Sequence, residues 1–452
     1  MHEVVTIETT GLGDRSYLAH DGTAAIVIDP QRDIDRVRAA ADAAEVTITH
    51  VLETHIHNDY VTGGLALAEA TGARYVVAAS EDVDFDRTAV GDGDQIDAGS
   101  LGIRVMATPG HTPGHLSYVL SDGTEGPVAV FTGGSMLFGA VGRTDLISPA
   151  DTEPLTRAQY RSVRLLATEL PDQVAVYPTH GFGSFCSATP TTGGASTIGA
   201  QRLANLALTS DEDAFVKDLV AGLTAYPRYY KHMGPANRRG PAAPDLTVPR
   251  RAHPAELRRR IDNGEWVVDL RQRRAFAASH IRGTISVELG DPFATYLGWT
   301  MPWGQPLTLI GDHQDQVAEA CRQLARIGID RLAAAAAGPH RELADGQTGH
   351  YEVRDFPALA AGWPVAGGVV LDVRRPDEWH AGHLPGAVHI PFWELERRAA
   401  EVPPGEVWVH CASGFRASIG ASLLDRAGRQ VVHVDDDWEH AARAGLPVTT
   451  EG

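Results

Sequence analysis

An α/β chain in two unlike halves is predicted, on three observations. The first 240 residues alternate short β runs with amphipathic helical stretches. A proline- and arginine-rich stretch, "NRRGPAAPDLTVPRRAHP" (237–254), then breaks all apolar periodicity. Beyond it, one strand–loop–helix unit occurs twice. In the first half, "VVTIE", "AAIVID", "ITHVLET", "RYVVAA", "IRVMAT", "LSYVL" and "VAVFTG" read as strands, and "DIDRVRAAADAA" and "LTRAQYRSVRLLATEL" as helices with one apolar face. At 452 residues, two to four domains are expected. We place a first domain at 1–240 and a linker at 241–253.

The repeat defines the second half. "VVDLRQRRAFAASHIRGTISV" (267–287) aligns with "VLDVRRPDEWHAGHLPGAVHI" (370–390), pairing Asp269 with Asp372, His280 with His383 and Gly283 with Gly386. "LTLIGDHQDQVAEACRQLARIG" (307–328) aligns with "VWVHCASGFRASIGASLLDRAG" (407–428). Two copies are too few for a solenoid, so two small parallel-sheet α/β domains in tandem are predicted, at 254–345 and 355–452. Cys411 faces Gly311 across the repeat, and Arg416 faces Gln316. If Cys411 is a nucleophile, the first copy has no reaction to perform and serves a structural or docking role.

Composition narrows the function classes. A hydrophobic fraction of 43% and a charged fraction of 21% are ordinary for globular protein. A net charge of -19 with no basic cluster argues against a nucleic-acid partner. No run of 18 apolar residues suggests a membrane span, and "MHEVVTIETTGLG" lacks the basic start and apolar core of a secretion signal. Three cysteines, Cys186, Cys321 and Cys411, make no disulfide framework in a chain this long. A reducing, cytoplasmic setting is expected, as is a homo-oligomer.

Two clusters carry chemistry. "THIHNDY" (54–60) sets His55, His57 and Asp59 on a loop after a β run, where side chains two apart converge on one ion. "ATPGHTPGH" adds His111 and His115, and "VYPTHGFGSFC" adds His180, again after β runs. Scattered loop histidines are the bland alternative, weakened by the repetition. His115 is read as ordering its loop rather than as a ligand. Cys186 sits six residues after His180 in a glycine-rich loop that could overhang the site. It is a persulfide carrier, a substrate contact or a packed loop cysteine. In the second cluster, Cys411-Ala412-Ser413-Gly414-Phe415-Arg416 joins a strand to a helix. Its N–H groups can curl inward to favour a thiolate or an anion, with Arg416 adding positive charge. Cys321 lies within a predicted helix and is read as core.

The run from Asp372 through "EWHAGHLPGA", with the six-residue loop from Cys411 to Arg416, resembles a rhodanese sulfurtransferase domain. The resemblance implies that Cys411 accepts a sulfane sulfur as a persulfide and passes it on. Cysteine phosphatases and arsenate reductases share a related cradle but place five residues between Cys and Arg, where this loop has four. The first half resembles the metallo-β-lactamase fold, an αββα sandwich whose motifs run T-H-x-H-x-D-H, P-G-H, T-G-D and a last His. His55, His57 and His111 match its first metal position; Asp59 and His180 match part of the second. Tyr60 replaces the fourth loop histidine and Gly134 the bridging aspartate, so a second metal is not expected.

"GRTDL" (142–146), "GFGSFCS" (181–187), "STIG" (196–199) and "YYKHMGPANRRGP" (229–241) resemble persulfide dioxygenase–rhodanese fusions, and the resemblance covers nearly the whole chain. That resemblance implies one Fe(II) per chain, oxidising a low-molecular-weight thiol persulfide to sulfite, with thiosulfate formed or used at Cys411. Its iron ligands fall on His55, His111 and position 134. Because Gly134 offers no ligand, the carboxylate must come from elsewhere or be absent, and His180 or Asp59 could move inward to compensate. Three imidazoles also suit zinc, which keeps two alternatives open: a zinc thioester hydrolase of the glyoxalase II type, and a metal-free scaffold with only the rhodanese active. If the lost carboxylate limits the reaction, Gly134→Asp is expected to raise iron affinity and O₂ uptake.

Overall fold

The computed structural model describes residues 2–450 except 122, 124, 125, 189, 190, 192 and 366. One compact unit comprises Met1–Asp245 with Ala325–Gly328, and the other Leu246–Leu324 with Ile329–Gly452.

Two six-stranded sheets form the first unit. Strands Glu3–Thr9, Asp14–His20, Ala24–Ile28, Thr47–Leu52, Arg74–Ala78 and Thr88–Val90 follow one another across the first sheet. The second runs Ser196–Thr197, Ala175–Pro178, Ala129–Gly133, Leu116–Ser121, Leu101–Ala107 and Gln95–Ala98. Successive side chains of a strand point to opposite faces, and both faces are apolar here. Ile26, Ile28, Val76 and Ala78 join Ile103, Val105, Tyr118 and Phe131 in a core shared by the two sheets. The alternate residues Ala25, Val27, Tyr75 and Val77 instead pack outward, beside Val37, Ala41, Leu67 and Ala68 of helices Asp35–Ala43 and Gly64–Thr71. On the other side, Val119, Val130 and Val176 meet Val163 and Leu166 of helix Thr152–Glu169. The result is the αββα sandwich. Each fully buried Val, Leu or Ile contributes roughly 1.5–3 kcal/mol, so these three clusters dominate its stability.

The seven predicted strands of this half are all present. Strand Asp14–His20 was missed because it is buried on both faces and starts with Asp, Arg and Ser, so it shows no alternation. It runs antiparallel to both neighbours, which puts its first residue at the edge where Ala24–Ile28 and Thr47–Leu52 end. That edge carries the histidine loops.

In the second unit, strands Ile285–Ser286, Trp266–Asp269, Leu307–Gly311 and Ala334–Ala337 form a parallel sheet in that order. Val388–His389, Val369–Asp372, Val407–His410, Val431–Val434 and Glu352–Arg354 form a second, in the order of their repeat partners with one strand added at the edge. A buried pair repeats as well: Asp269 with Arg271, and Asp372 with Arg374. Among the described residues, no helix is long and apolar enough to cross a membrane.

Candidate metal centre and cysteine loop

Strand ends deliver the histidines to one place. His55 and His57 follow Thr47–Leu52, His111 follows Leu101–Ala107 and His180 follows Ala175–Pro178. All are at most 2% exposed, as is Asp59. Ring centroids lie 4.1 Å apart for His55 and His57, 4.8 Å for His55 and His111, and 5.2 Å for His111 and His180.

Outer partners fix the tautomer of each ring, since a carbonyl or carboxylate can only accept. His111 Nδ1–H donates to the Arg143 carbonyl at 2.7 Å, and its Nε2 has no protein partner among the described residues. Nε2–H of His57 faces Glu53 at 3.1 Å and Asp29 at 3.2 Å, leaving Nδ1 equally bare. The Thr54 hydroxyl donates to Asp29 Oδ2 at 2.7 Å, so at 2.8 Å it must accept from His55 Nδ1–H. His180 Nδ1–H lies 2.8 Å from Asp14 Oδ1 and 3.2 Å from Asp59 Oδ2. With all four rings neutral, four lone pairs remain for the interior, and His55 Nε2 stands 3.3 Å from His180 Nε2. Two imidazole lone pairs at that distance repel unless a proton or a metal ion lies between them. This donor set fits a metal.

Electrostatics follow from burial and neighbours. Burial drives the pKa values of His55 and His111 far down, keeping both rings neutral, as ligands must be. Burial opposes charge on His57 and His180 too, but Asp29 and Glu53 raise the first to about 9 and Asp59 and Asp14 raise the second, so each of these two rings must release a proton to bind a metal. Asp14, lifted by burial and by the charge of Asp59, is pushed up to about 7. Burial, with Asp59 and Asp14 nearby, holds the Cys186 thiol protonated.

Several motifs gain physical roles. "GRTDL" supplies the Arg143 carbonyl that orients His111, while its guanidinium grips Asp145 at 2.7 Å. "YYKHMGPANRRGP" supplies Asn237, whose amide donates to the carbonyls of His57 and Tyr60, both at 2.9 Å, and accepts from Thr62 N–H. Tyr60 stacks on His57 with ring centroids 4.3 Å apart. Both nitrogens of His115 are engaged, one with Thr108 and one accepting from Gly134 N–H. Cys186 is fully buried, within ligand distance of His111 and His180.

Gly134 needs a correction. A β-carbon there would collide with the His111 ring, and the carbonyl of Gly134 accepts from Gly142 N–H and Gln159 Nε2. The ring fills the space a side chain would need, so an aspartate at 134 cannot be placed without moving His111. The residue missed by sequence reasoning is Asp14, which no motif contains; only the "GLGD" turn before a strand hinted at it.

In the second unit, Cys411 directly follows strand Val407–His410 and is 1% exposed. Helix Phe415–Arg426 begins four residues later. Gly414 turns the loop at φ 86°, and any β-carbon there would strike Asp435. Among the described residues, the N–H groups of Ala412, Ser413, Gly414 and Phe415 have no protein acceptor. Such N–H groups at a helix N-terminus form an anion cradle. Arg416 does not add free positive charge, for Glu378 grips it bidentately at 2.5 and 2.7 Å. From the first copy, Tyr296 packs on Phe415 at 5.4 Å and Trp299 stacks on Trp393 at 4.7 Å. Cys321 is buried in helix Gln314–Arg326.

Comparison with known proteins accords with these two sites. Residues 10–180 match the metallo-beta-lactamase superfamily and residues 358–444 the rhodanese-like domain. The chain is 29% identical over 234 residues to the Homo sapiens persulfide dioxygenase ETHE1, mitochondrial, covering 50% of this chain and 82% of that one. It is 31% identical to a probable polyketide biosynthesis zinc-dependent hydrolase, BaeB, of Bacillus velezensis, covering 35% and 68% respectively. A hydroxyacylglutathione hydrolase of Pseudomonas putida is 33% identical over 34% of this chain and 56% of its own. Among solved structures, a metallo-beta-lactamase from Staphylococcus aureus superposes with a TM-score of 0.66 at 28% identity, covering 75% of this chain and 99% of that one. With a buried imidazole cluster on the sandwich edge and a cysteine loop on the last parallel sheet, the chain belongs to the metallo-β-lactamase superfamily, as a member with persulfide dioxygenase homologues that also carries a rhodanese-like domain.

Proposed function

We propose that the chain oxidises a low-molecular-weight thiol persulfide to sulfite at one iron per chain, and transfers sulfane sulfur through Cys411. The observation that carries this reading is the set of four inward lone pairs, on His55, His57, His111 and His180, in a half related to a persulfide dioxygenase. When bound, iron supplies the redox chemistry that joins O₂ to the outer sulfur. The residues do the rest. His55 and His111 stay neutral through burial, and Glu53 and Asp29 hold His57 in its tautomer. The balance is RSSH + O₂ + H₂O → RSH + SO₃²⁻ + 2H⁺. At the second site, the Cys411 persulfide gives its outer sulfur to sulfite, forming thiosulfate and restoring the thiol. The bare N–H groups at 412–415 would hold the anionic acceptor.

Oxygen uptake with glutathione persulfide tests this directly. Uptake with equimolar sulfite, lost in His111→Ala, is expected. A second reading, zinc-dependent thioester hydrolysis, draws on the all-imidazole donors and the hydrolase relatives. It would prevail if S-lactoylglutathione is cleaved and no oxygen is consumed.

A further inference from the structure

The lost bridging carboxylate raises a question that its own position cannot answer, because the His111 ring fills the space beside Gly134. A buried carboxylate on the opposite sheet offers a substitute. Asp14 opens strand Asp14–His20 and is 1% exposed. Backbone bonds on either side pin it against the His180 segment: Arg15 N–H donates to the Thr179 carbonyl at 2.8 Å, and Phe182 N–H to the Gly13 carbonyl at 3.1 Å. Its Oδ1 accepts from His180 Nδ1–H at 2.8 Å, while Oδ2, wholly buried, has no partner among the described residues. The Nε2 of the same ring faces His55 Nε2. Among the described residues, His180 belongs to three of the four groups of side chains close enough to share an ion.

We infer that Asp14 is a positioning residue that replaces the missing carboxylate at one remove: it holds His180 Nδ1–H, so that Nε2 takes a ligand place beside His55 and His57. This rests on the reading of a single metal per chain. A carboxylate behind a ligating imidazole fixes its tautomer and raises its basicity, and losing such a partner typically costs about 10–100-fold in metal affinity. The ligand shell becomes three imidazoles with buried carboxylates behind two of them, His57 and His180. Asp59, 3.2 Å from the same nitrogen, is the weaker contact.

The test is Co(II) and Fe(II) titration of the full chain, read by the visible absorption of bound Co(II) and by metal content after gel filtration. Asp14→Asn keeps the size and one acceptor oxygen, with circular dichroism to check folding. Expected is a 10–100-fold weaker metal affinity and a shifted Co(II) band, with Asp14→Glu recovering part of the affinity and Asp59→Asn costing less. Wild-type affinity and an unshifted band in Asp14→Asn would overturn the inference while leaving the single-metal reading intact. A wild-type chain that takes up neither ion would overturn both. Should Asp14→Asn fail to fold, His180→Gln answers the same question: unchanged affinity and spectrum there overturn the inference as well.

Discussion

The two repeat copies end the same strand in opposite ways. After Val407–His410 the loop opens on Cys411, and the N–H groups of residues 412–415 point to no protein acceptor among the described residues. After Leu307–Gly311 the corresponding turn is closed by its own helix. Gln316 Oε1 accepts from Asp312 N–H at 2.7 Å and from His313 N–H at 3.4 Å, and a β-carbon on Gly311 would come 3.0 Å from it. One loop is left free to receive an anion; the other receives a side-chain amide permanently. Loss of the cysteine alone would have left an empty cradle. Gln316 in the place of arginine fills it, so the first copy stabilises its own turn and gives Tyr296 and Trp299 to the surroundings of the second.

The largest break in that comparison comes from Cys411→Ser. Thiosulfate:cyanide sulfurtransfer should fall at least about 1000-fold, as for loss of a nucleophile, while Cys321→Ala leaves it unchanged. A smaller effect tests the cap. In the Cys411→Ser background, Gly311→Cys alone should give no persulfide by intact-mass analysis, because Gln316 occupies its space. Gly311→Cys with Gln316→Arg should give a detectable one. Persulfide on the single variant would show that the cap does not close the loop. Smallest is Glu378→Gln. It frees the Arg416 charge for the thiosulfate dianion and should lower its KM about threefold to tenfold, on the order of 1 kcal/mol, with kcat nearly constant. An unchanged KM would place the arginine outside the anion's reach.

Legibility followed distance along the chain. The repeat, the sandwich strands and the clustering of His55, His57, His111 and His180 could be read because each rests on local pattern: a β run, then a loop bearing the ligand type. Asp14 could not, since its role comes from an antiparallel strand that returns its first residue to the far end of the fold, 166 positions from His180. Gly134 misled for a related reason. In sequence it is an absence, and in space the His111 ring occupies that absence. The pairing of Arg416 could not be read either, because its partner Glu378 lies 38 residues away in the preceding strand–helix unit.

The central claim is that the sandwich still holds one redox-active metal without its bridging aspartate. Elemental analysis of protein purified without chelator or added metal tests it most directly. The account predicts iron near one per chain in the wild type, falling sharply in His111→Ala. Zinc near one per chain, or no metal at all, would contradict it.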